Sequence, residues 1–147
     1  SRVKRKEHGF SVLFLLWEEN MIRYIEKDST LTAERFSEFA SQLWHAEYDP
    51  VKTQAALDKT QNITAYDGER LVGCLRILSD GYFFGTITEL LVLPQYQRRG
   101  IGSRLLALAK KVTPTMLYFG AQEDAVGFYE RNGCTKSLQS FVIEKGE

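Results

Sequence analysis

The chain has 147 residues, of which 44% are hydrophobic and 26% are charged. This size suits one domain with a single core. The 19 basic and 19 acidic residues give a formal net charge of +0, which lacks the basic excess of general nucleic-acid or anionic-membrane binders. Cys74 and Cys134 lie far apart and have no partners at metal-binding spacing, so we expect neither a disulfide framework nor a metal, and a reducing, cytoplasmic setting.

Residues 1–20 differ from the rest of the chain. Basic residues at positions 2–6 precede an apolar run, Phe10–Trp17, that is too short to span a bilayer and is not followed by a small-residue cleavage site. Residues 21–25 already alternate as a strand does. We therefore assign residues 21–147 to the domain and residues 1–20 to an N-terminal extension. Its apolar run favours packing on a second subunit, as in a homodimer.

Hydrophobic periodicity divides the first part of the domain into five elements. In chain order they are a strand over 21–27, a helix over 32–44, a helix over 49–59 and strands over 63–66 and 71–78. Asp49 followed by Pro50 predicts an N-cap and a first helical position. Asp67-Gly68-Glu69-Arg70 predicts the tight turn of a hairpin between the two strands.

The second part of the domain continues with five more elements. They are a long strand over 82–93, a helix over 100–111, a strand over 115–119, a short helix over 124–131 and a last strand over 135–144. Asn132-Gly133 predicts the C-cap of the short helix. The complete order is β-α-α-β-β-β-α-β-α-β, which indicates an α+β fold and excludes a doubly wound dinucleotide-binding sheet.

The segment over 90–106 is the most informative of the chain. An apolar strand runs through Pro94 into a glycine-containing loop and then into an amphipathic helix, an arrangement that directs backbone N–H groups at an anion. The loop lacks the Gly-Lys-Ser/Thr of a Walker A motif and the third glycine of a dinucleotide fingerprint. The residues alone leave open a plain strand-to-helix turn with solvated arginines, or a nucleic-acid contact through Arg98, Arg99 and Arg104.

Two motifs together carry a family resemblance. Gln97-Arg98-Arg99-Gly100-Ile101-Gly102 matches the Q/R-x-x-G-x-G/A acetyl-CoA signature of the GNAT superfamily of N-acetyltransferases. Downstream, residues 125–134 (AVGFYERNGC) resemble the A-x-x-F-Y-x-x-x-G-F segment of that family, with Cys134 in place of phenylalanine. The spacing of the two motifs and the element order are also those of the family. The chain therefore resembles a GNAT enzyme over about residues 21–144.

The resemblance implies a fold and an activity. The fold is a central, twisted, mostly antiparallel sheet flanked by helices, with the strands over 82–93 and 115–119 splayed apart. The activity is transfer of the acetyl group of acetyl-CoA to a primary amine of a small molecule or peptide by direct attack, without a metal. A non-catalytic acyl-CoA-binding or regulatory module, and an acyltransferase that uses another acyl-CoA, are the alternatives.

The resemblance also implies which residues contact acetyl-CoA. The loop before the helix binds the pyrophosphate, the main chain of the preceding strand binds the pantetheine arm, and a glutamine stands where many relatives have an asparagine. These residues are Leu91, Val92, Leu93, Gln97, Arg98, Arg99, Gly100, Ile101, Gly102, Ser103, Gln122 and Phe128.

For the chemistry, the resemblance makes Tyr129 the general acid that protonates the departing thiolate. Without the resemblance, Tyr129 is simply an aromatic residue on the inner face of a helix. Glu89 lies just before the cofactor-binding strand segment and is the candidate base, acting through water; a solvated or arginine-paired carboxylate is the alternative. A strand N–H near Val92 is expected to polarise the thioester carbonyl.

Candidates for binding a cationic or aromatic acceptor are Trp44, His45, Tyr48, Asp80, Tyr82, Phe83 and Phe84.

Overall fold

Four antiparallel strands form the central sheet of the computed structural model, which describes residues 21–146. They are β1 (Arg23–Ile25), β2 (Gln61–Asp67), β3 (Arg70–Ser79) and β4 (Gly85–Val92). Strands that follow one another in the chain are neighbours in the sheet. The β2–β3 connection is the predicted tight turn, with Asp67 opposite Arg70. The predicted extension, residues 1–20, lies outside the described residues.

Four helices accompany the sheet, together with two single 3-10 turns. The helices are α1 (Ala33–Ala40), α2 (Pro50–Lys59), α3 (Ile101–Val112) and α4 (Val126–Arg131), and the 3-10 turns are Pro94–Tyr96 and Glu123–Ala125. The Thr32 hydroxyl and the Asp49 carboxylate cap α1 and α2 by accepting backbone N–H groups at 3.2 and 2.9 Å. No helix within residues 21–146 combines the length and the hydropathy needed to cross a bilayer.

The helices cover both faces of the sheet. A Cβ atom on Gly73 would lie 3.1 Å from side-chain atoms of Ile101 and Leu105, so the missing side chain allows α3 to pack closely on β3. Arg76, three residues along β3, faces the other side of the sheet, where its guanidinium lies 5.4 Å from the ring centroid of Phe36 in α1. The N-terminus of α3 is thereby fixed beside the end of β4.

Asp28 is a buried carboxylate in the loop between β1 and α1. It accepts hydrogen bonds from the Thr30 N–H and hydroxyl, the Thr64 hydroxyl and the Tyr66 hydroxyl. Burial alone would raise the pKa of Asp28, but these hydrogen bonds outweigh it and hold the pKa below its usual value. The network ties the β1–α1 loop to β2.

The predicted α+β class and the antiparallel sheet flanked by helices are confirmed. The last two predicted strands differ from the structure. Residues 115–119 pair with β4 through one parallel bridge, Gly85 to Leu117, and the Tyr118 N–H donates to the Gly85 carbonyl at 2.9 Å. The strand predicted over 135–144 is wrong, because this stretch forms neither a strand nor a β-bridge. Its apolar alternation favours a strand, but a strand also needs a neighbouring edge that offers backbone partners.

Several element boundaries also differ from the predicted ones, and two of them have a clear local cause. β4 begins at Gly85 rather than at residue 82, because the Asp80 carboxylate accepts the N–H groups of residues 82–84 at 2.8, 2.8 and 3.0 Å and curls the chain. These backbone hydrogen bonds lower the pKa of Asp80. α1 ends at Ala40 rather than at Trp44, because the Leu43 N–H bonds to the Ala40 carbonyl in a tighter turn.

Candidate functional site

The loop before α3 leaves amide groups free at the start of the helix. Arg98 and Gly100 both have left-handed backbone angles, with φ of 63° and 81°. The first hydrogen bond within the helix runs from the Arg104 N–H to the Gly100 carbonyl, at 3.0 Å. The N–H groups of residues 101–103 therefore point out of the positive end of the helix. The conformation costs a non-glycine residue such as Arg98 about 1–2 kcal/mol, and such strain is concentrated at functional sites.

Tyr96 anchors this loop to the β2–β3 turn. Its ring is buried, and its hydroxyl donates to the Asp67 carboxylate. That hydrogen bond and then burial raise the pKa of Tyr96, so the hydroxyl remains a donor. The guanidinium groups of Arg70 and Arg99 lie 5.5 and 5.0 Å from the ring centroid. Arg99 thus stacks on Tyr96, whereas Arg98 lines the cavity over the helix start.

The far edge of β4 has free backbone groups. The Leu93 N–H donates to the Val72 carbonyl at 2.9 Å, so the backbone of Leu93 and, by alternation, of Leu91 is used in pairing with β3. The N–H and carbonyl groups of Leu90 and Val92 point the other way. Of the three strand residues predicted to contact a ligand, Val92 has its backbone groups on this free edge, whereas those of Leu91 and Leu93 pair with β3.

A bulge lies on β4 next to this edge. Arg76 of β3 is paired with Glu89, but the next residue, Ile77, is paired with Ile87. Thr88 is therefore the extra residue, and the strand bends at that point. Bulges of this kind re-aim side chains, and here the bulge is adjacent to the candidate base.

One cleft connects the start of α3 with the free edge of β4. A cavity of about 750 Å³ lies between β4 and the chain over 119–125, and a second of about 480 Å³ lies over the helix start. The residues that line both cavities are Leu90, Val92, Gln97, Asp124, Ala125 and Tyr129. The chain over 115–119 lies very close to β4 at Gly85, where a Cβ atom would be 2.6 Å from the Thr115 hydroxyl oxygen. The missing side chain allows the two segments to start in contact before they separate to form the cleft.

Tyr129 lies where the two cavities meet. Its ring packs against those of Phe119 and Phe128, with centroid distances of 4.8 and 5.1 Å. Burial raises the pKa of the Tyr129 phenol, and the nearby Cys134 thiol adds to the effect. The hydroxyl is therefore protonated at neutral pH and can serve as a proton donor in the cleft.

Glu89 lines the larger cavity and is paired with an arginine. Its Oε1 lies 2.6 Å from Nη1 of Arg76, and the two side chains are 26% and 11% exposed. The arginine pairing, which the sequence left as the alternative for Glu89, is thus present. It does not remove Glu89 from the cavity, because the carboxylate is still accessible there.

The predicted acceptor residues separate into two groups. Trp44 and Tyr48 line the larger cavity beside Glu89. The remaining candidates do not line it: His45 is exposed in the α1–α2 connection, and residues 80–84 form the exposed β3–β4 turn. The sequence could not distinguish the two groups, because the hydrogen bonds from residues 82–84 to the Asp80 carboxylate that shape this turn are seen only in the folded chain.

The other predicted cofactor residues surround the cleft. Gln122 lines the larger cavity, and the Gln97 side-chain amide donates to the Val92 carbonyl at 3.0 Å. Phe128 packs over the start of α3, where a Cβ on Gly102 would lie 3.2 Å from its ring. Ser103, with Gly100 and Ile101, lines the smaller cavity.

The sequence analysis missed three charged residues of the cleft, Arg76, Asp124 and Arg131. Asp124 has no distinguishing signal. Arg76 has one, because it is a charged residue within an otherwise buried strand run from Leu71 to Ile77. Within the described part of the chain, no group of His, Cys, Asp and Glu side chains is arranged to hold a metal ion.

A family model described as an acetyltransferase (GNAT) domain matches residues 58–134, just over half of the chain. The matched range begins near the end of α2 and ends after α4. It includes the loop before α3, β4 and Tyr129. A search of curated protein sequences finds no significant match.

Solved structures share the fold. A Staphylococcus aureus protein of unknown function, described as a probable acetyltransferase, is 20% identical with a TM-score of 0.72, over 85% of this chain and 100% of that one. A GNAT-family acetyltransferase from Streptococcus pneumoniae is 26% identical with a TM-score of 0.63, over 86% and 98%. AAC(6')-Iy, solved with the bisubstrate analogue CoA-S-monomethyl-acetylneamine, is 14% identical with a TM-score of 0.66, over 86% and 99%.

Proposed function

The chain belongs to the GNAT acetyltransferase family and is an acyltransferase, and from this premise we propose that it transfers the acetyl group of acetyl-CoA to a primary amine of a small molecule or peptide. The amine attacks the thioester directly. The observation that supports this most strongly is the single cleft that joins free amides at the start of α3, the free edge of β4 and the Tyr129 phenol. Acetyl-CoA supplies the activated acyl group.

The start of α3 binds the pyrophosphate in this proposal. The N–H groups of residues 101–103 donate to phosphate oxygens, and the helix dipole and Arg98 complement their charge. Gly100 and Gly102 keep side-chain atoms away from the approaching phosphates. These N–H groups suit an anion because they lie close together and have no hydrogen-bond acceptors within the helix.

The free edge of β4 binds and polarises the rest of the cosubstrate. Leu90 and Val92 offer backbone groups that an extended amide-containing arm can pair with, as an additional strand would. The Gln97 amide already occupies one acceptor position on the Val92 carbonyl, while the Val92 N–H points into the cleft. This N–H is the donor that polarises the thioester carbonyl.

Tyr129 donates a proton to the departing sulfur. The phenol is neutral at neutral pH because its ordinary pKa is about 10, and burial raises that pKa further. The sign of this shift predicts the pH dependence: the acid form persists to higher pH than an ordinary phenol, so the alkaline loss of activity from Tyr129 occurs above a pH of about 10.

Glu89 removes the proton that makes the amine unreactive. A lysine-like amine has a pKa of about 10.4 and is charged at neutral pH, so it has to lose a proton before attack. Glu89 borders the larger cavity together with Trp44 and Tyr48, whose rings suit the cationic form of the acceptor. The carboxylate receives the proton directly or through one water.

The Tyr129→Phe variant tests the catalytic part of this proposal. It removes the proton donor and preserves the ring, so we expect kcat to fall about 100-fold or more, with little change in the Kd of acetyl-CoA. Calorimetry measures binding, and release of free thiol measures turnover with a panel of amines, peptides and polyamines. Tyr118→Phe is the matched control, because Tyr118 lines neither cavity of the cleft.

Other outcomes contradict the proposal in defined ways. Binding of acetyl-CoA without turnover on any amine would point to a non-catalytic acyl-CoA-binding module. Turnover with a longer acyl-CoA and none with acetyl-CoA would reassign the acyl donor. Full activity in Tyr129→Phe would remove the acid role. Absence of any acetyl-CoA binding would remove the phosphate site itself.

We propose further that the enzyme acts in the cytoplasm as a homodimer, without nucleic-acid or membrane partners. The free cysteines Cys74 and Cys134 suit a reducing compartment, and the neutral net charge does not favour polyanions. Exposed apolar side chains at positions 138 and 141–143 support self-association. Light scattering of the chain with and without residues 1–20 measures the contribution of the extension, and a monomeric mass for both would exclude the dimer.

A further inference from the structure

Arg76 is a charged side chain in an otherwise buried stretch of β3. Every neighbour from Leu71 to Ile77 is buried, and the Arg76 side chain itself is 11% exposed. Placing a guanidinium there is costly unless several partners compensate for the lost water. The contacts of the Arg76 guanidinium therefore have to offset this cost.

Three contacts fix the guanidinium in one orientation. Nε donates to the Thr60 hydroxyl at 3.2 Å, Nη1 contacts Glu89 Oε1 at 2.6 Å, and the Phe36 ring lies against its face. Thr60 is itself held, because its hydroxyl donates to the Asn62 side chain at 2.6 Å. The chain of contacts therefore runs from the end of α2 through Arg76 to the carboxylate in the cleft.

Glu89 is held through one oxygen. Oε1 accepts from Arg76, and no residue between 21 and 146 donates a hydrogen bond to Oε2. The other titratable groups that line the same cavity, Tyr48, Asp124 and Tyr129, form no hydrogen bond with Glu89. On the sheet side the nearby Cys74 is a neutral thiol, because burial raises its pKa. Arg76 is thus the cation that faces the carboxylate.

We infer that Arg76 is a positioning residue that holds Glu89 by one oxygen so that the other receives the proton of the acceptor amine. The inference rests on the proposed function, in which Glu89 is the base. The bulge at Thr88 turns the Glu89 side chain toward the cleft, and Arg76 then fixes its rotation.

The test compares Arg76→Met with Arg76→Lys. Met fills the space without charge, and we expect kcat for the acceptor to fall about 10- to 100-fold, with little change in the acceptor KM and an unchanged acetyl-CoA Kd. Lys makes the single contact that Glu89 needs, so it restores most of kcat. Thr60→Val loosens the same side chain and lowers kcat by less.

Arg35→Met is the control, because Arg35 also lies over an aromatic ring, that of Tyr66, but does not line the cleft. A kcat for Arg76→Met that matches this control, or a loss of kcat that Lys does not recover, would overturn the inference. Glu89→Gln separates the two proposals. If it keeps full turnover, the base assignment fails. If it abolishes turnover while Arg76→Met keeps full kcat, the positioning role alone fails.

Discussion

The two ends of the cleft offer different kinds of contact group to a ligand, backbone amides at one end and side chains at the other. At the α3 end, the candidate ligand contacts are backbone amides of consecutive residues, 101–103, in the first turn of the helix, which follows a loop anchored through Tyr96. At the opposite end, the contacts are side chains from separate elements: Trp44 and Tyr48 between α1 and α2, and Glu89 on β4. The first end depends on the conformation of one short segment, and the second depends on the packing of several elements. A substitution should therefore affect the two ends through different physical effects.

The largest effect is expected from a negative charge at the α3 end. Ser103→Glu places a carboxylate in the first turn of the helix, beside the amides that bind phosphate in our proposal. Like-charge contact costs several kcal/mol, so we expect the acetyl-CoA Kd to rise about 30-fold or more. The same carboxylate interacts favourably with the helix dipole and stabilises the fold by about 0.3–1 kcal/mol. Calorimetry and thermal unfolding should therefore move in opposite directions.

Ser103→Gln is the matched control for this prediction. It has the same size as Glu but no charge, so it should weaken acetyl-CoA binding only slightly and leave Tm nearly unchanged. Equal losses of affinity in the two variants would indicate a steric effect and would contradict an anion site at this helix end.

A smaller effect is expected from the backbone of the loop. Gly100→Ala places a Cβ in open space but at a φ of 81°, which costs about 1–2 kcal/mol. For a chain of this size we expect Tm to fall by about 2–4 °C per kcal/mol. We also expect acetyl-CoA affinity to fall about fivefold as the amides lose alignment.

Gly81→Ala separates the loss of stability from the loss of the site. Gly81 has nearly the same φ, 83°, and equally open surroundings, but it lies in the β3–β4 turn away from the cleft. It should lower Tm by a similar amount and leave acetyl-CoA affinity unchanged. A similar loss of affinity in both variants would show that general destabilisation, and not the loop conformation, limits binding.

The difference between the two ends also explains which structural features could be predicted from the sequence. The loop over 97–102 and the N-cap at Asp49 were predictable because the residues that make each structure are adjacent in the chain. The same holds for the β2–β3 turn and for Gly133, whose positive φ ends α4 as predicted. Local backbone preferences and hydrogen bonds determine such features, and both are visible in a single sequence.

Features that depend on distant partners were less predictable. The apolar alternation over 135–144 favours a strand, but residues 115–119 do not provide a continuous paired edge for it. The acceptor candidates divide in a similar way: Trp44 and Tyr48 line the larger cavity, whereas Tyr82 lies in a turn that backbone hydrogen bonds to Asp80 shape and does not line it. Arg76 was missed because its role depends on Glu89, which is thirteen residues away across the sheet.

The smallest effect is expected from one aromatic side chain at the acceptor end. Trp44 is half exposed and lines the larger cavity, so Trp44→Ala removes one wall of the acceptor site and should raise the acceptor KM about threefold to tenfold. The acetyl-CoA Kd should not change, because the α3 end is untouched. Tyr82→Ala removes an aromatic ring that is 81% exposed but lies outside the cavity, and it should leave KM unaltered. If Tyr82→Ala raises KM and Trp44→Ala does not, the acceptor binds against the β3–β4 turn, and the acceptor end of the cleft has to be moved there.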